Sequence, residues 1–126
     1  RIDLSLELDE AVRLLGFPNE FAQVILNLLV NAKDAILAQT KNQGLIRIKL
    51  YREGEELVVT VIDNGGGVPA EYLERVFEPY FSTKTTQNGT GLGLYMTKMI
   101  IEEHMGGVIS VTNTMQGAQF KIVLQG

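Results

Sequence analysis

Along residues 2–8 the apolar side chains Ile2, Leu4, Leu6 and Leu8 alternate with Asp3, Ser5 and Glu7. A period of two predicts a strand with one buried face. Residues 9–15 are expected to form a short helix stopped by Gly16. The pattern then changes. Residues 17–40, FPNEFAQVILNLLVNAKDAILAQT, read as one long helix with Pro18 in its first turn. Its apolar residues (Val24 to Leu26, Leu28 to Val30, Ala32 and Ala35 to Leu37) cover nearly the whole circumference, which predicts burial on all sides. Gln23, Asn27, Asn31 and Asp34 interrupt the run. At about 100° per residue they fall within roughly 80° of one another, so a core helix carries one narrow polar stripe. A buried amide without a partner costs roughly 1–3 kcal/mol, and something polar must therefore face the stripe.

Residues 46–51 alternate again and residues 57–62 are rich in Val and Ile, so a hairpin is expected across Glu53-Gly54-Glu55-Glu56, its second strand the more buried. Asp63-Asn64-Gly65-Gly66-Gly67-Val68-Pro69 ends that strand, and Pro69 opens a predicted helix to Arg75. A compact aromatic stretch, VFEPYF, follows. Residues 82–90 are polar, without apolar periodicity, and predict a mobile loop. Gly91-Leu92-Gly93-Leu94 leads into a helix to about Met105, stopped by Gly106-Gly107. Residues 108–113 and 118–124 are the last two strands, joined by a turn at Met115-Gln116-Gly117. About five strands and three long helices, with no repeat or linker, predict a single α+β domain over residues 1–126. The expected architecture is a two-layer α/β sandwich with the helices on one face of a mixed sheet and the other face partly exposed.

Composition narrows the chemistry. A net charge of −4 argues against a general affinity for nucleic acid or an anionic membrane. With no cysteine and a single histidine, disulfides and thiolate metal sites are excluded and a His-rich zinc site is disfavoured. No apolar run is long enough to span a membrane. The pattern is already under way at Arg1, so the chain is expected to be part of a longer protein.

Each candidate site has two readings. The polar stripe is either an amide network tying core elements together or one wall of a ligand site, and four polar residues on one face favour the ligand. Asp63 either caps a turn or, from the end of a buried strand, accepts a hydrogen bond from an exocyclic amine such as adenine N6; guanine O6 would be repelled there. Gly89-Thr90-Gly91-Leu92-Gly93-Leu94 is either a plain glycine loop or a phosphate cradle of backbone N–H groups. It is no Walker loop, since no Lys follows the last glycine. Lys84 is a solvated loop residue or a phosphate contact in an otherwise acidic chain. His104, at a helix end before two glycines, reads as a structural residue interacting with the helix C-terminus.

The order of these motifs carries more than any one of them. Asn27-x-x-x-Asn31-Ala32-x-Asp34-Ala35, Asp63-x-Gly65-x-Gly67, Phe77-x-Pro79-x-Phe81 and Gly89-x-Gly91-x-Gly93-Leu94 resemble the N, G1, F and G2 boxes of sensor histidine kinases. The resemblance continues through Gly106-Gly107-x-Ile109-x-Val111 to the last strand. It implies the ATP-binding catalytic domain of a two-component kinase, with the Bergerat fold shared with gyrase, Hsp90 and MutL. The stretch from Phe77 to Lys84 looks most like the nitrogen-regulator and dicarboxylate-sensor type. Carried over by position, the resemblance implies that Asn31 coordinates Mg²⁺ and that Asp63 holds adenine N6. It makes Gly65 and Gly67 shape the adenine pocket and residues 82–90 the ATP lid. Asn27, Asp34, Val68, Phe81, Lys84, Thr90, Gly91, Leu92, Gly93 and Leu94 complete the nucleotide site, with Asn27, Asn31 and Lys84 as the catalytic set. Asn27 stands where gyrase-type relatives carry a water-activating glutamate, and an amide cannot take that proton.

Two features depart from the family. Gly117-Ala118 replaces the usual Gly-Thr, so the hydroxyl that supports the adenine contact is missing. The phosphoacceptor histidine of the family lies on a preceding helical dimerisation domain, which is not expected within these residues, and His104 does not match it. The resemblance implies transfer of the ATP γ-phosphate to that separate domain of a dimeric protein, with a response regulator downstream. It implies no nucleic acid, no direct membrane contact by this domain, and a cytoplasmic location whether or not the parent is membrane-anchored. Other readings are a gyrase- or MutL-like ATPase, an anti-sigma-type Ser/Thr kinase and a nucleotide-binding scaffold.

Overall fold

The structure, a computed structural model, describes residues 2–8, 18–38, 43–79, 93–115 and 117–125. Strand β1 (Ile2–Leu8) is followed by helix α1 (Pro18–Leu37), then by β2 (Gly44–Glu53) and β3 (Glu56–Asp63). Helix α2 (Gly93–Met99) runs on as a π-helical turn (Ile100–His104), and β4 (Val108–Asn113) and β5 (Ala118–Gln125) close the chain. The strands form one sheet in the order β1-β2-β3-β5-β4. β1 lies parallel to β2, and every other neighbouring pair is antiparallel. This mix follows from the connections. Two residues join β2 to β3, with Glu53 opposite Glu56, whereas a parallel pair needs a long crossover, which α1 supplies.

The predicted α+β sandwich is therefore present. β2 buries Ile46 and Ile48 and exposes Leu45 and Arg47. β3, third of five strands, buries Leu57, Val58, Val59, Thr60 and Val61 in an unbroken run, as a central strand with neighbours on both sides does. The core joins Phe21, Val24, Leu28, Ala32 and Ile36 of α1 to the β2, β3 and β5 side chains and to Ile100, Ile101 and Ile109. Phe77 anchors the aromatic stretch. Its ring meets Phe120 edge-on, with centroids 6.0 Å apart, and Lys98 Nζ lies 5.5 Å from its centroid.

Three expectations change. The predicted helix at residues 69–75 is a single 3₁₀ turn (Ala70–Tyr72) followed by further turns bonded three residues apart, including Arg75 N–H to Tyr72 O at 2.9 Å and Glu78 N–H to Arg75 O at 2.9 Å. Seven residues are too few to offset the cost of nucleating an α-helix. The described residues thus contain two helical segments over the sheet where three were expected. The segment at residues 9–15 lies outside the described residues. Finally, α1 is not buried on all sides: Leu26, Val30 and Leu37 are 53%, 44% and 66% exposed. In a two-layer fold the sheet covers one side of α1 and α2 one flank, and nothing among the described residues covers its back. No helix among them is long and apolar enough to cross a membrane.

Leu28 and Leu26 separate the two faces of α1. Leu28→Ala, which empties a side chain only 1% exposed, is expected to lower stability by about 2–5 kcal/mol. Leu26→Ala is expected to change it by no more than about 0.5 kcal/mol. Urea denaturation measures both, and equal losses would show that the back of α1 is covered in solution.

Candidate nucleotide-binding site

The polar stripe of α1 lies on the flank that meets α2. Asn27 Nδ2 donates to Gly93 O at 3.3 Å and to Thr97 Oγ1 at 3.1 Å. Its Oδ1 accepts from Gln23 Nε2 at 2.8 Å. Thr97, fully buried, donates its hydroxyl to Gly93 O at 2.9 Å. Asn27 therefore ties the middle of α1 to the first turn of α2, and both of its amide protons are spent on that tie. One turn further along α1, Asn31 is half-buried and has no hydrogen-bond partner among the described residues. Asp34, also half-buried, is engaged in an interaction.

At the far end of the stripe α1 meets the loop that follows β3. A Cβ on Gly65 would lie 2.8 Å from the backbone carbon of Ala35, so only a residue without a side chain lets loop and helix come this close. Asp63, 4% exposed, turns its Oδ1 to the Gly65 N–H at 2.8 Å. The predicted positions on described residues thus form one row along α1. The Asp63 loop stands beside Ala35, Asn31 comes next, and Asn27 follows with Gly93. Asn27 and Ala35 are about 12 Å apart along the axis at 1.5 Å per residue. Val68 and Leu94 are half-buried and pack against the core beside this row. Phe81, Lys84, Gly89, Thr90, Gly91 and Leu92 lie outside the described residues.

Asn31 has the chemistry for Mg²⁺. Its carboxamide supplies a hard neutral oxygen, and no described protein group occupies it. No cluster of three or more His, Cys, Asp or Glu side chains capable of holding a metal exists among the described residues. The donor set therefore suits an ion that keeps its waters and shares phosphate oxygens, not one caged by protein.

Two residues of the site, Asn64 and Asn113, have no counterpart in the sequence reading, and the packing role of a third, Gly117, has none either. Asn64 Oδ1 accepts the Leu45 N–H at 2.9 Å and its Nδ2 donates to Gln43 O at 3.3 Å. Asn113 makes the same kind of paired contact to Val68. Gly117 stands against Asp63: a Cβ there would lie 2.1 Å from Asp63 O and 2.7 Å from its Oδ1. Ala118 is buried next to it. The available signals were slight, an Asn at a strand end and a Gly in a turn. His104, by contrast, is exposed, and its Nδ1 lies 2.5 Å from Glu20 Oε2. It ties the end of the π-turn to the start of α1 and stands outside the row.

Residues 16–126 match the family model of the histidine kinase-, DNA gyrase B- and HSP90-like ATPases. The chain belongs to this family. It is 46% identical over 90 residues to the nitrogen regulation protein NtrY of Azorhizobium caulinodans, a match covering 69% of this chain and 11% of that protein. It is 41% identical over 114 residues to the sensor histidine kinase ZraS of Salmonella typhimurium, covering 89% of this chain and 23% of ZraS. The chain thus spans less than a quarter of the length of these curated relatives. A nucleotide-free catalytic domain of the histidine kinase ThkA superposes with a TM-score of 0.84 at 32% identity, over 98% of this chain and 80% of that one. ThkA in complex with the response regulator TrrA superposes with a TM-score of 0.76 at 30% identity, over 98% of this chain and 34% of that one. The protein thus has the catalytic-domain fold of the sensor histidine kinases, with the ATP binding that defines its family.

Gly117→Ala tests the packing against Asp63. Forcing a methyl into this contact is expected to destabilise the chain by roughly 1–3 kcal/mol, read as a lower denaturation midpoint. An unchanged midpoint would mean that the ends of β3 and β5 separate freely.

Proposed function

We propose that this chain is the Mg·ATP-binding catalytic domain of a sensor histidine kinase. It presents the γ-phosphate to a histidine on a separate helical dimerisation domain, and a response regulator acts downstream in the cytoplasm. Residues 1–126 act as one domain in this reading. The observation that carries it is the row along α1. Asp63 lies at the base end, Asn31 with its carboxamide unengaged among the described residues in the middle, and Asn27 with Gly93 at the phosphate end. The ThkA–TrrA complex supports a response regulator as the downstream partner.

In this reading Asp63 accepts the adenine N6 amine, and Gly65, Gly67 and Val68 form the loop against which the base rests. Asn31 holds Mg²⁺ through its amide oxygen; when bound, the ion neutralises charge on the phosphate oxygens. Asp34 flanks Asn31. By the family resemblance, Phe81, Lys84, Thr90, Gly91, Leu92, Gly93 and Leu94 belong to the nucleotide site. Catalysis is mostly positioning and charge neutralisation, as phosphoryl transfer requires. Asn27 contributes by fixing the start of α2 and cannot serve as a base. That disfavours the ATPase reading, in which the attacking water must be activated.

Calorimetry of ATP binding with and without Mg²⁺, with GTP as control, tests the proposal. Binding that needs Mg²⁺ and rejects GTP is expected; equal affinity for GTP would remove the role of Asp63. Asp63→Asn is expected to weaken ATP binding by roughly 1–3 kcal/mol, from the altered buried hydrogen bond. Asn31→Asp is expected to abolish autophosphorylation of the full-length kinase, and wild-type activity would remove the Mg²⁺ role from Asn31.

A further inference from the structure

The loop after β3 is built of residues whose backbones cost most to order. Gly66 and Gly67 hold positive φ angles of 93° and 79°, and residues 64–69 belong to no helix or strand. Three consecutive glycines fix such a shape only if something outside the loop holds it. One end is held by the Asn64 carboxamide, which bridges the backbone of residues 43 and 45. The other end is held by Asn113, the last residue of β4. Its Oδ1 accepts the Val68 N–H at 2.8 Å, and its Nδ2 donates to Val68 O at 2.6 Å. Both polar groups of one backbone residue are thus engaged by one side chain, as a neighbouring strand would engage them. The approach requires a bare residue at 67, because a Cβ on Gly67 would lie 2.8 Å from Asn113 Oδ1. The hairpin carrying Asn113 is closed in turn by Thr114 N–H to Gly117 O at 2.8 Å and Gly117 N–H to Thr114 Oγ1 at 3.1 Å. Gly117 abuts Asp63, so hairpin, loop and carboxylate form one contact set.

We propose that Asn113 is a positioning residue for the nucleotide: by clamping Val68 it holds residues 65–68 in the shape that seats the base against Asp63. The inference rests on the nucleotide-binding reading above. Asn113 is exposed at the end of an edge strand. Its side chain bonds to Val68, and its backbone ladder with β5 does not depend on that bond. Removing the carboxamide should therefore loosen the loop without unfolding the sheet. The rest of the row, at Asn31 and at the phosphate end with Asn27, should be unaffected.

The test compares the chain with Asn113→Ala and with Asn113→Asp. The Asp variant keeps an acceptor for the Val68 N–H but places a carboxylate oxygen against Val68 O. For each form, NMR titration gives Kd for ATP and for adenosine, which lacks phosphates. Amide exchange at Val68 and the denaturation midpoint complete the set. Both variants are expected to speed Val68 exchange and to raise Kd for ATP and adenosine by the same factor, about tenfold, with the Mg²⁺ dependence of ATP binding unchanged. Three results would overturn the inference. One is a wild-type Kd in both variants. Another is a loss seen with ATP but not with adenosine, which would place the effect at the phosphates. The last is unfolding of both variants, which would make Asn113 a residue of the fold. If the wild-type chain binds neither ligand, the nucleotide reading itself fails, and Val68 exchange in Asn113→Ala still decides whether the clamp exists.

Discussion

A helix laid on one face of a single sheet has one side in the core, two flanks and a back. In this protein everything near the site follows from which residues fall on those surfaces of α1. Phe21, Val24, Leu28, Ala32 and Ile36 face the sheet. On the flank toward α2, amides and a carboxylate replace apolar side chains. Where α2 comes within reach, the amide of Asn27 is consumed by Gly93 and Thr97. Where the glycine loop comes within reach, no side chain is tolerated and Gly65 lies directly on the helix backbone. Asn31 stands between these two contacts without a partner of its own among the described residues. A hydrogen-bonding group held rigidly and left unengaged is the condition for a preformed binding position.

The second theme is the carboxamide used as a surrogate peptide group. Asn27, Asn64 and Asn113 each offer an acceptor and donors on one rigid plane, and each spans a junction that backbone ladders do not reach. Asn64 extends the pairing beyond the ends of β2 and β3, Asn113 joins β4 to the loop, and Asn27 joins α1 to α2. Bonds of this kind add modestly to stability one by one. Their larger effect is geometric, since each removes a freedom that glycine would otherwise keep. The glycine loop can thus be both bare enough for close approach and fixed in one shape.

Much of this was legible in the sequence because it is local. Alternation located β1 and β2, a run rich in Val and Ile located β3, and the apolar run with its polar stripe located α1 together with Asn27, Asn31 and Asp34. The order of the glycine and aromatic motifs pointed to the family. The failures were of other kinds. Apolar residues around the whole circumference of α1 predict burial on every side, but such a distribution says only that a helix can be buried, not how many partners surround it. The 3₁₀ turn after Pro69 was read as a helix because a capping proline looks the same before either. The contacts of Asn64 and Asn113, and the packing of Gly117 on Asp63, are not legible because the partners are far away in sequence or are backbone atoms, which leave no mark in a pattern of side chains.

The sequence alone therefore determined the elements, their apolar faces and the chemical inventory of the site, since periodicity and residue type are properties of neighbours along the chain. The tertiary structure decided what each polar residue is engaged with. Asn27 and Asn31 are alike in type and sit one turn apart on the same stripe, and no rule of spacing tells them apart. The position of α2 does: among the described residues it satisfies one amide and leaves the next open, because hydrogen bonds reach only about 3 Å and the packing of distant segments sets which groups come that close.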